Sequence, residues 1–437
     1  MQKDKKNTLI LGMGYVGLTL GTVMAENDHN VYGLDINKLI IDTINNGKAH
    51  FYEKGIDNKI NSSINKTLFV TDSINNFKDI NFSSIIITVG TPLTSDQKPN
   101  YEYLKTALNT IKKVYNGNQL IVLRSTVSVG TTKNIVIPIL SDYLNIDDSD
   151  ILISFCPERT VEGNALKELK ELPQIISGNN SLSIKKAREL FKTFNENIVE
   201  AQSLEAAEII KLFNNTYRDI NFAIGNIFNE ISQKFGIDGY EVIEKANFNY
   251  NRSSIALPGL VGGPCLEKDP YILTNPLDFN IEKNFVIGAR NYNESIEDKV
   301  CQWVEKNYSL DSKILLSGLA FKGRPETSDL RGSPSLSIAK KLKVKGYNLI
   351  LHDFCVNDKD LALEKLGDVI NDLSYKNKDF ECILVLTNHI KYQSLEIDSL
   401  FQSKDSNTKV FDLWNNFKKY EGIMKKNIIT LGNYAKL

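Results

Sequence analysis

The 437-residue chain has little histidine, no closely spaced cysteines, no long apolar run and no excess of charge of either sign, and each shortage removes a class of function. Its four histidines are scattered, so a Ser-His-Asp arrangement has nothing to stand on. The five cysteines, Cys156, Cys265, Cys301, Cys355 and Cys382, are odd in number and far apart. None falls in a CxxC or Cys/His ligand spacing, so neither a zinc site nor any other metal is expected. No stretch approaches the roughly 18 consecutive apolar residues of a membrane span. Met1 to Asn7 is charged and runs into a predicted strand, unlike a secretory signal, which makes the cytoplasm the expected compartment. Lysine plus arginine is 52 against aspartate plus glutamate 53, a net charge of -1. Such a balance creates no field for nucleic acid or an anionic membrane, so any anionic ligand must be met by a local site.

What remains is ordinary globular composition, 42% hydrophobic and 24% charged, in a length that suits about three domains. There is no internal repeat of 20 to 50 residues. The chain divides instead by periodicity. Up to about residue 200, short apolar runs alternate with helical patterns: Thr8 to Leu11, Val31 to Leu34, Ser84 to Val89, Gln119 to Leu123 and Ile151 to Phe155. Runs this apolar suit strands covered on both faces, and strand-helix alternation predicts a doubly wound α/β domain over residues 1–200. Next, Ala206, Ile209, Ile210, Phe213, Tyr217, Ile220, Ile224, Ile227 and Ile231 recur at helical spacing, predicting a long helix in an all-α segment over 201–305. Residues 251–263, with Pro258, Gly259, Gly262 and Gly263, read as a loop. Strands at Lys313 to Leu319, Asn348 to Asp353, Cys382 to Leu386 and Val410 to Leu413 then predict a second, smaller Rossmann-like α/β domain over 306–437.

Gly12-Met13-Gly14-Tyr15-Val16-Gly17 follows a predicted strand and opens a predicted helix. Glycines there allow a tight turn and a close backbone approach to a pyrophosphate, and the helix N-terminus offers unpaired N–H donors. The next strand ends at Asp35, at about the 20-residue offset of a ribose-binding acid. An acid at that point accepts from both ribose hydroxyls and repels a 2′-phosphate, so the expected cofactor is NAD, not NADP. Thr91 and Thr126 follow further strands, where they either line that crevice or merely cap.

Pro258 to Pro270 carries one thiol, Cys265, on a Gly-Gly-Pro loop with Lys268 and Asp269 close behind. If a helix starts at Cys265 the three share a face, and a helix N-terminus and a lysine both lower a thiol pKa. That describes a nucleophile. The other four cysteines fall in apolar runs or helical patterns and are read as small core residues. A dinucleotide fingerprint plus an activated thiol points to oxidation of an alcohol through an aldehyde to an acid, because a thioester lets one site complete both oxidations.

These residues resemble the UDP-glucose/GDP-mannose dehydrogenase family of nucleotide-sugar 6-dehydrogenases across nearly the whole chain. The resemblance rests on Gly12 to Gly17 with Asp35, Gly90-Thr91-Pro92, Arg124-Ser125-Thr126-Val127, Cys156-Pro157-Glu158-Arg159 with Glu162-Gly163, Lys211 with Asn215, the Cys265 loop, and Gly318-Leu319-Ala320-Phe321-Lys322 with Asp329-Leu330-Arg331. It implies that Cys265 is the nucleophile and that Asp269 and Thr126 hold the water of proton transfer and hydrolysis. It implies that Lys211 stabilises the oxyanion, that Glu158 is an acid-base carboxylate, and that Asn215 binds the sugar or a water. Glu162, Lys268 and Arg331 would contact NAD. Lys322, Pro258, Gly262 and Ser254 would contact the nucleotide sugar, together with Arg252 from a neighbouring subunit. It also implies a homodimer or larger homo-oligomer through the middle helices, and a product destined for polysaccharide or surface-glycan synthesis. The chain departs from the family's pattern in a longer 323–328 segment and in Gly-Gly-Pro-Cys ahead of the thiol. Lys268-Asp269 is similar to the UDP-glucose type, whereas Asp269-Pro270-Tyr271 and Asn215 to Asp219 are similar to the N-acetylhexosamine branch, to which the chain leans. The rival readings are a single-step β-hydroxyacid-type NAD dehydrogenase and a non-catalytic nucleotide-sugar or NAD sensor.

Overall fold

The structure, a computed structural model, describes residues 6–277, 281–356, 365–370, 373, 380–395, 408–419 and 427–434. It divides into two compact units, Met1–Asn214 with Tyr271–Asp278, and Asn215–Pro270 with Phe279–Leu437.

The first unit is built on a parallel sheet of β1 (Lys6–Leu11), β2 (His29–Leu34), β3 (Leu68–Thr71), β4 (Ser84–Ile87), β5 (Leu120–Leu123) and β6 (Ile153–Phe155), in the order β3-β2-β1-β4-β5-β6. All five pairings are parallel, with Leu11 opposite Leu34 and Ile87. Every side chain of β4 and β5 is buried, because helices cover both sheet faces. That is why these strands read as continuous apolar runs instead of alternating ones. A short parallel pair, β7 (Gln174–Ile176) with β8 (Ile198–Glu200), completes the unit.

One polar group buried in this core has a pH consequence. His29 is fully buried between Thr8 Oγ1 (3.0 Å from Nδ1) and Thr193 Oγ1 (3.1 Å from Nε2), and burial pushes its pKa down to about 4. A base depressed in the folded state takes up its proton first in the unfolded chain. Stability is therefore full above the ordinary histidine value of about 6.5 and falls toward pH 4, by about 3 kcal/mol for this residue. The expected result is that urea midpoints of the wild type drop between pH 7.5 and 4.5, and that His29→Gln flattens the drop. An unchanged drop in that variant would assign it elsewhere.

The second unit repeats the plan with β9 (Ile314–Ser317), β10 (Leu349–His352), β11 (Asp368–Ile370), β12 (Cys382–Val385), β13 (Lys409–Asp412) and β14 (Ile428–Thr430), ordered β11-β10-β9-β12-β13-β14 and again parallel. Helix Pro334–Val344 starts with Ser333 accepting from Leu336 N and proline at its first position, where the missing N–H costs nothing. Residues 251–262 form no helix or strand, as the Pro/Gly content predicts.

The predicted long helix is Leu204–Lys234, followed after a break by helix Gly239–Asn247, which Asp238 caps. Residues through Asn214 belong to the first unit and those from Asn215 to the second. In the second unit its buried positions are largely polar: Asn215, Thr216, Asp219, Asn226 and Asn229. Tyr217, Ile224, Phe228 and Ile231 on the same helix are exposed, as is Phe235 just past its end, which reverses the usual amphipathic assignment.

Candidate functional site

β1 ends at a turn that only glycine can make. Gly12 has φ +90°, and a Cβ on Gly17 would lie 1.9 Å from the Gly12 carbonyl oxygen. Helix Tyr15–Ala25 begins directly behind, and its cap, Gly14, brings no side-chain acceptor to the first turn. A Cβ on Gly14 would meet nothing within 4 Å, so the backbone there is open to approach. Asp35 follows β2; its Oδ2 accepts from Met13 N (2.7 Å) and its Oδ1 from Asn37 N (2.9 Å), which fixes the carboxylate beside the glycine turn. Helix N-terminus, open glycine and oriented acid fit the pyrophosphate and ribose of a dinucleotide.

The other residues of the fingerprint divide by role. The Met13 side chain is fully buried in the core, where it occupies the space left by Gly33, so its contribution to a ligand is its backbone. Tyr15 hydrogen-bonds through its hydroxyl to Glu53, and Gly163 N donates to Glu53 Oε2 (2.7 Å), tying the fingerprint helix to the turn that carries Glu162. Val16 is half-buried on the helix. Glu53 was not foreseen in the sequence, where nothing marks it among other surface-like acids. At the ends of β4 and β5, Thr91 Oγ1 donates to the Thr126 carbonyl and Ser125 Oγ to the Val89 carbonyl (2.6 Å). The Thr91 hydroxyl thus binds the neighbouring strand end, which is where the two threonines meet.

Arg124, immediately after β5, is fully buried and paired with Glu158. Glu158 Oε1 also accepts from Arg159 N (2.7 Å) and Thr160 N (2.8 Å). Burial alone would raise the carboxyl, but the guanidinium and these donors outweigh it and hold its pKa at about 2. Glu158 is therefore ionised at neutral pH and has no proton to donate. Lys211, half-buried, donates its ammonium to the Glu158 backbone carbonyl, so these two predicted residues are brought together through the main chain. The partner role of Arg124 had one trace in the sequence, an arginine closing a run of four buried aliphatic residues.

In the second unit, Cys265 is half-buried on a loop that turns sharply behind it. The expected helix start at Cys265 is corrected: residues 264–268 form turns and the helix runs Asp269–Thr274. Both Lys268 N (3.2 Å) and Asp269 N (2.9 Å) reach back to the Cys265 carbonyl, so the turn that carries the thiol leads directly into that helix. Asp269 is fully buried and holds two partners, Asn215 Nδ2 on Oδ2 (2.6 Å) and Lys268 Nζ on Oδ1 (3.1 Å). Cys265, Lys268, Asp269 and Asn215 are thus one assembly. Burial pushes the thiols of Cys156 and Cys355 up to about 12 and Cys301 to about 11, and raises Cys382 as well, which favours the protonated thiol at each.

The remaining predicted contacts lie around this loop's unit. Gly262 leaves no room for a side chain, since a Cβ would be 2.4 Å from the Gly332 carbonyl oxygen. Pro258 is buried with its carbonyl accepting from Tyr240 OH (2.8 Å), and the Ser254 carbonyl accepts from Asn221 (3.0 Å). Arg252 is exposed, near the Tyr250 ring. Lys322 lies 5.4 Å from the Phe321 ring centroid, and exposed Arg331 pairs with Asp329. Gly318 and Asp353 reproduce the first unit's turn: Gly318 has φ +93° and Leu319 N donates to Asp353 Oδ2 (2.7 Å).

Glu326, Cys355 and His389 also cluster, His389 Nε2 lying 3.2 Å from Glu326 Oε1 and 3.5 Å from Cys355 Sγ. Lys391 N donates to His389 Nδ1 (3.1 Å), so the neutral ring carries its proton on Nε2 and donates it into the cluster. The group is accounted for as hydrogen bonding, and Cys355 proves half-buried at a strand end instead of a core residue.

Comparison with known proteins gives one consistent family. The NAD binding domain of the UDP-glucose/GDP-mannose dehydrogenase family matches residues 6–195, the family's central domain 205–295 and its UDP binding domain 315–419. The chain is 31% identical over 424 residues to a UDP-N-acetyl-D-mannosamine dehydrogenase of Methanococcus maripaludis, covering 94% of this chain and 93% of that one. It is 32% identical over 407 residues to the UDP-N-acetyl-D-mannosamine dehydrogenase of Campylobacter jejuni, covering 90% and 97%. The structure of UDP-D-ManNAc dehydrogenase from Pyrococcus horikoshii superposes with a TM-score of 0.85 at 28% identity, covering 98% of this chain and 100% of that one.

Proposed function

Because the chain belongs to the UDP-glucose/GDP-mannose dehydrogenase family and is an NAD-dependent oxidoreductase acting on a nucleotide sugar, we propose that it oxidises the C6 hydroxymethyl of a UDP-N-acetylhexosamine to a carboxylate through a covalent bond to Cys265. UDP-N-acetyl-D-mannosamine is the first substrate to test, and UDP-glucose the second. The observation that carries this reading is the Cys265 assembly: a thiol on a polar loop with Lys268, Asp269 and Asn215 joined behind it, while burial favours the protonated form of the other four thiols.

Bound NAD supplies the hydride acceptor, held by the Gly12 to Gly17 turn and Asp35, with Thr91, Glu162, Lys268 and Arg331 as further contacts. Lys211 stabilises negative charge on the C6 oxygen, a cation placed where charge develops. The C6 alcohol gives up its hydroxyl proton to the water held by Asp269 and a hydride to a first NAD, leaving the aldehyde, to which Cys265 Sγ adds while the thiol proton passes to the C6 oxygen. The hemithioacetal then loses that hydroxyl proton to the same water and a hydride to a second NAD, leaving a thioester on Cys265. Asp269, with Asn215 and Thr126, holds the water that attacks the thioester, releasing the carboxylate and returning the thiol. Glu158, held ionised at neutral pH by Arg124 and its backbone donors, fixes Lys211 through its carbonyl and is the carboxylate available to take up a proton during thioester hydrolysis. Lys322, Arg252, Ser254, Pro258 and Gly262 bind the nucleotide sugar. In this reading 1–200, 201–305 and 306–437 are the cofactor, helical and nucleotide-sugar segments.

The test is NADH release and acid formation with UDP-glucose, UDP-N-acetylglucosamine, UDP-N-acetylmannosamine and GDP-mannose. Two NADH per acid from a UDP-N-acetylhexosamine is the expected result. One NADH and a carbonyl product would overturn the reading.

The occupant we propose for the exposed helix stripe is a second copy of the chain. Tyr217, Ile224, Phe228 and Ile231 recur at steps of seven, four and three, one continuous apolar helix face, and contiguous exposed apolar surface of this kind marks an association site. Replacing Phe228 and Ile231 together by glutamate should halve the sedimenting mass. A wild type that already sediments as one chain would remove the proposal.

A further inference from the structure

Behind the Cys265 loop lies a buried polar network that the proposed chemistry does not use. Arg290, on helix Ile281–Asn307, is the largest fully buried side chain described. Its Nη1 donates to Asp219 Oδ1 (2.6 Å) and to the Leu266 carbonyl (3.4 Å), and its Nη2 to the Val261 carbonyl (2.7 Å). Asn293, one helical turn on, donates to Asp219 Oδ1 (3.0 Å) and to the Asp219 carbonyl (2.8 Å). Asn226 in turn donates to Asn293 Oδ1 (3.1 Å) and to the Gly259 carbonyl (3.1 Å), and accepts from Gly259 N (2.9 Å).

The loop is therefore gripped at Gly259, at Val261 and at Leu266, with Cys265 between the last two. Two further features tighten the same stretch: Gly263 N donates to the Gly332 carbonyl (2.7 Å), and a Cβ on Gly263 would sit 2.4 Å from the Phe321 ring. A buried ion pair is a poor source of net stability, since desolvation offsets its attraction. Two side chains, Arg290 and Asn226, are spent on the carbonyls and amide of one loop, and Asp219 and Asn293 hold them in place, which serves the loop's geometry. The fork of a guanidinium is the one side chain that reaches both flanking carbonyls and a carboxylate at once.

We propose that Arg290, oriented by Asp219 and Asn293, is a positioning residue that sets the location of the Cys265 thiol, with Asn226 fixing the entry of the same loop. This rests on Cys265 being the nucleophile. A lysine at 290 keeps the charge but supplies a point, not a fork, so the loop loses one flanking anchor. A misplacement of about 1 Å at a reacting atom costs on the order of 10²-fold in rate.

The experiment uses the full-length enzyme with Arg290→Lys, Asn226→Ala and Cys265→Ser. Three quantities are read: kcat and KM for nucleotide sugar and NAD, the rate of Cys265 alkylation by iodoacetamide followed by peptide mass, and the melting temperature. For R290K we expect kcat to fall about 10- to 100-fold, KM values to stay within about threefold, and the alkylation rate to change by a comparable factor at a melting temperature that still reports a folded protein. If R290K does not fold, N226A is judged by the same three quantities. A folded variant with wild-type kcat and alkylation rate overturns the inference. If C265S continues to release acid, the nucleophile reading falls instead, and the alkylation rates still decide whether Arg290 positions the loop.

Discussion

Cys265→Ser should stop acid release, with a loss on the order of 10³-fold or more, while NADH formation falls to at most one per site. A serine hydroxyl in the same place lacks a thiolate's nucleophilicity near neutral pH. Folding should be untouched, because the residue is half-buried and the swap is nearly isosteric. Quenched-flow quantification of NADH and acid in parallel checks this. Acid formed at the wild-type rate would remove the covalent step and leave direct oxidation of a hydrated aldehyde.

Arg124→Met is expected to be the most destabilising single change in the first unit. It keeps the volume and deletes the charge, so Glu158 stays behind as a buried anion with its main partner gone. Breaking a buried pair in this way costs about 3–5 kcal/mol, which for a unit of this size lowers the melting temperature by roughly 10 °C. The pH dependence identifies the cause. In the wild type Glu158 titrates at about 2, below its ordinary value, so its stabilising contribution is complete above the unfolded-state value near 4.3 and is lost as pH falls through about 2. In the variant burial is opposed only by the backbone donors and Lys211, and the carboxyl rises. The deficit should then be largest at pH 7 and shrink toward pH 4, where a neutral carboxyl is cheaper to bury. Urea melts at the two pH values measure it, and adding Glu158→Gln should recover part of the loss. A deficit independent of pH would point to packing instead.

The architecture was legible where burial was complete. β1, β2, β4, β5 and β6 and the four central strands of the second sheet announce themselves as apolar runs because both faces are covered. β3, β7, β8, β11 and β14 were missed: each is only three or four residues long, and β3, β8 and β11 are partly uncovered, so they leave no run to see. The repetition of one strand order in both sheets also lay hidden, because it is carried by hydrogen-bond direction and a few glycines, not by matching side chains. At the site, Cys265, Asp269 and the glycine turn could be read from local spacing. Glu53, Arg124's partner and the Arg290 network could not: each joins residues 34 to 110 positions apart, and a charge paired in the interior looks in sequence like a charge in water.

Both sheets are wholly parallel, so every strand ends on the same rim as its neighbours. Gly12, Asp35, Thr91, Thr126 and Glu158 all follow strand ends of the first sheet; its opposite rim holds the helix-to-strand connections, such as Glu26–Asp28 and the left-handed Asn145 after helix Ile137–Leu144. Those connections are the places to splice in an affinity tag or a fluorophore. An insertion at Asn145 lengthens a surface link without touching a group that has work to do, which makes that rim the handle by which the enzyme can be immobilised and still turn over.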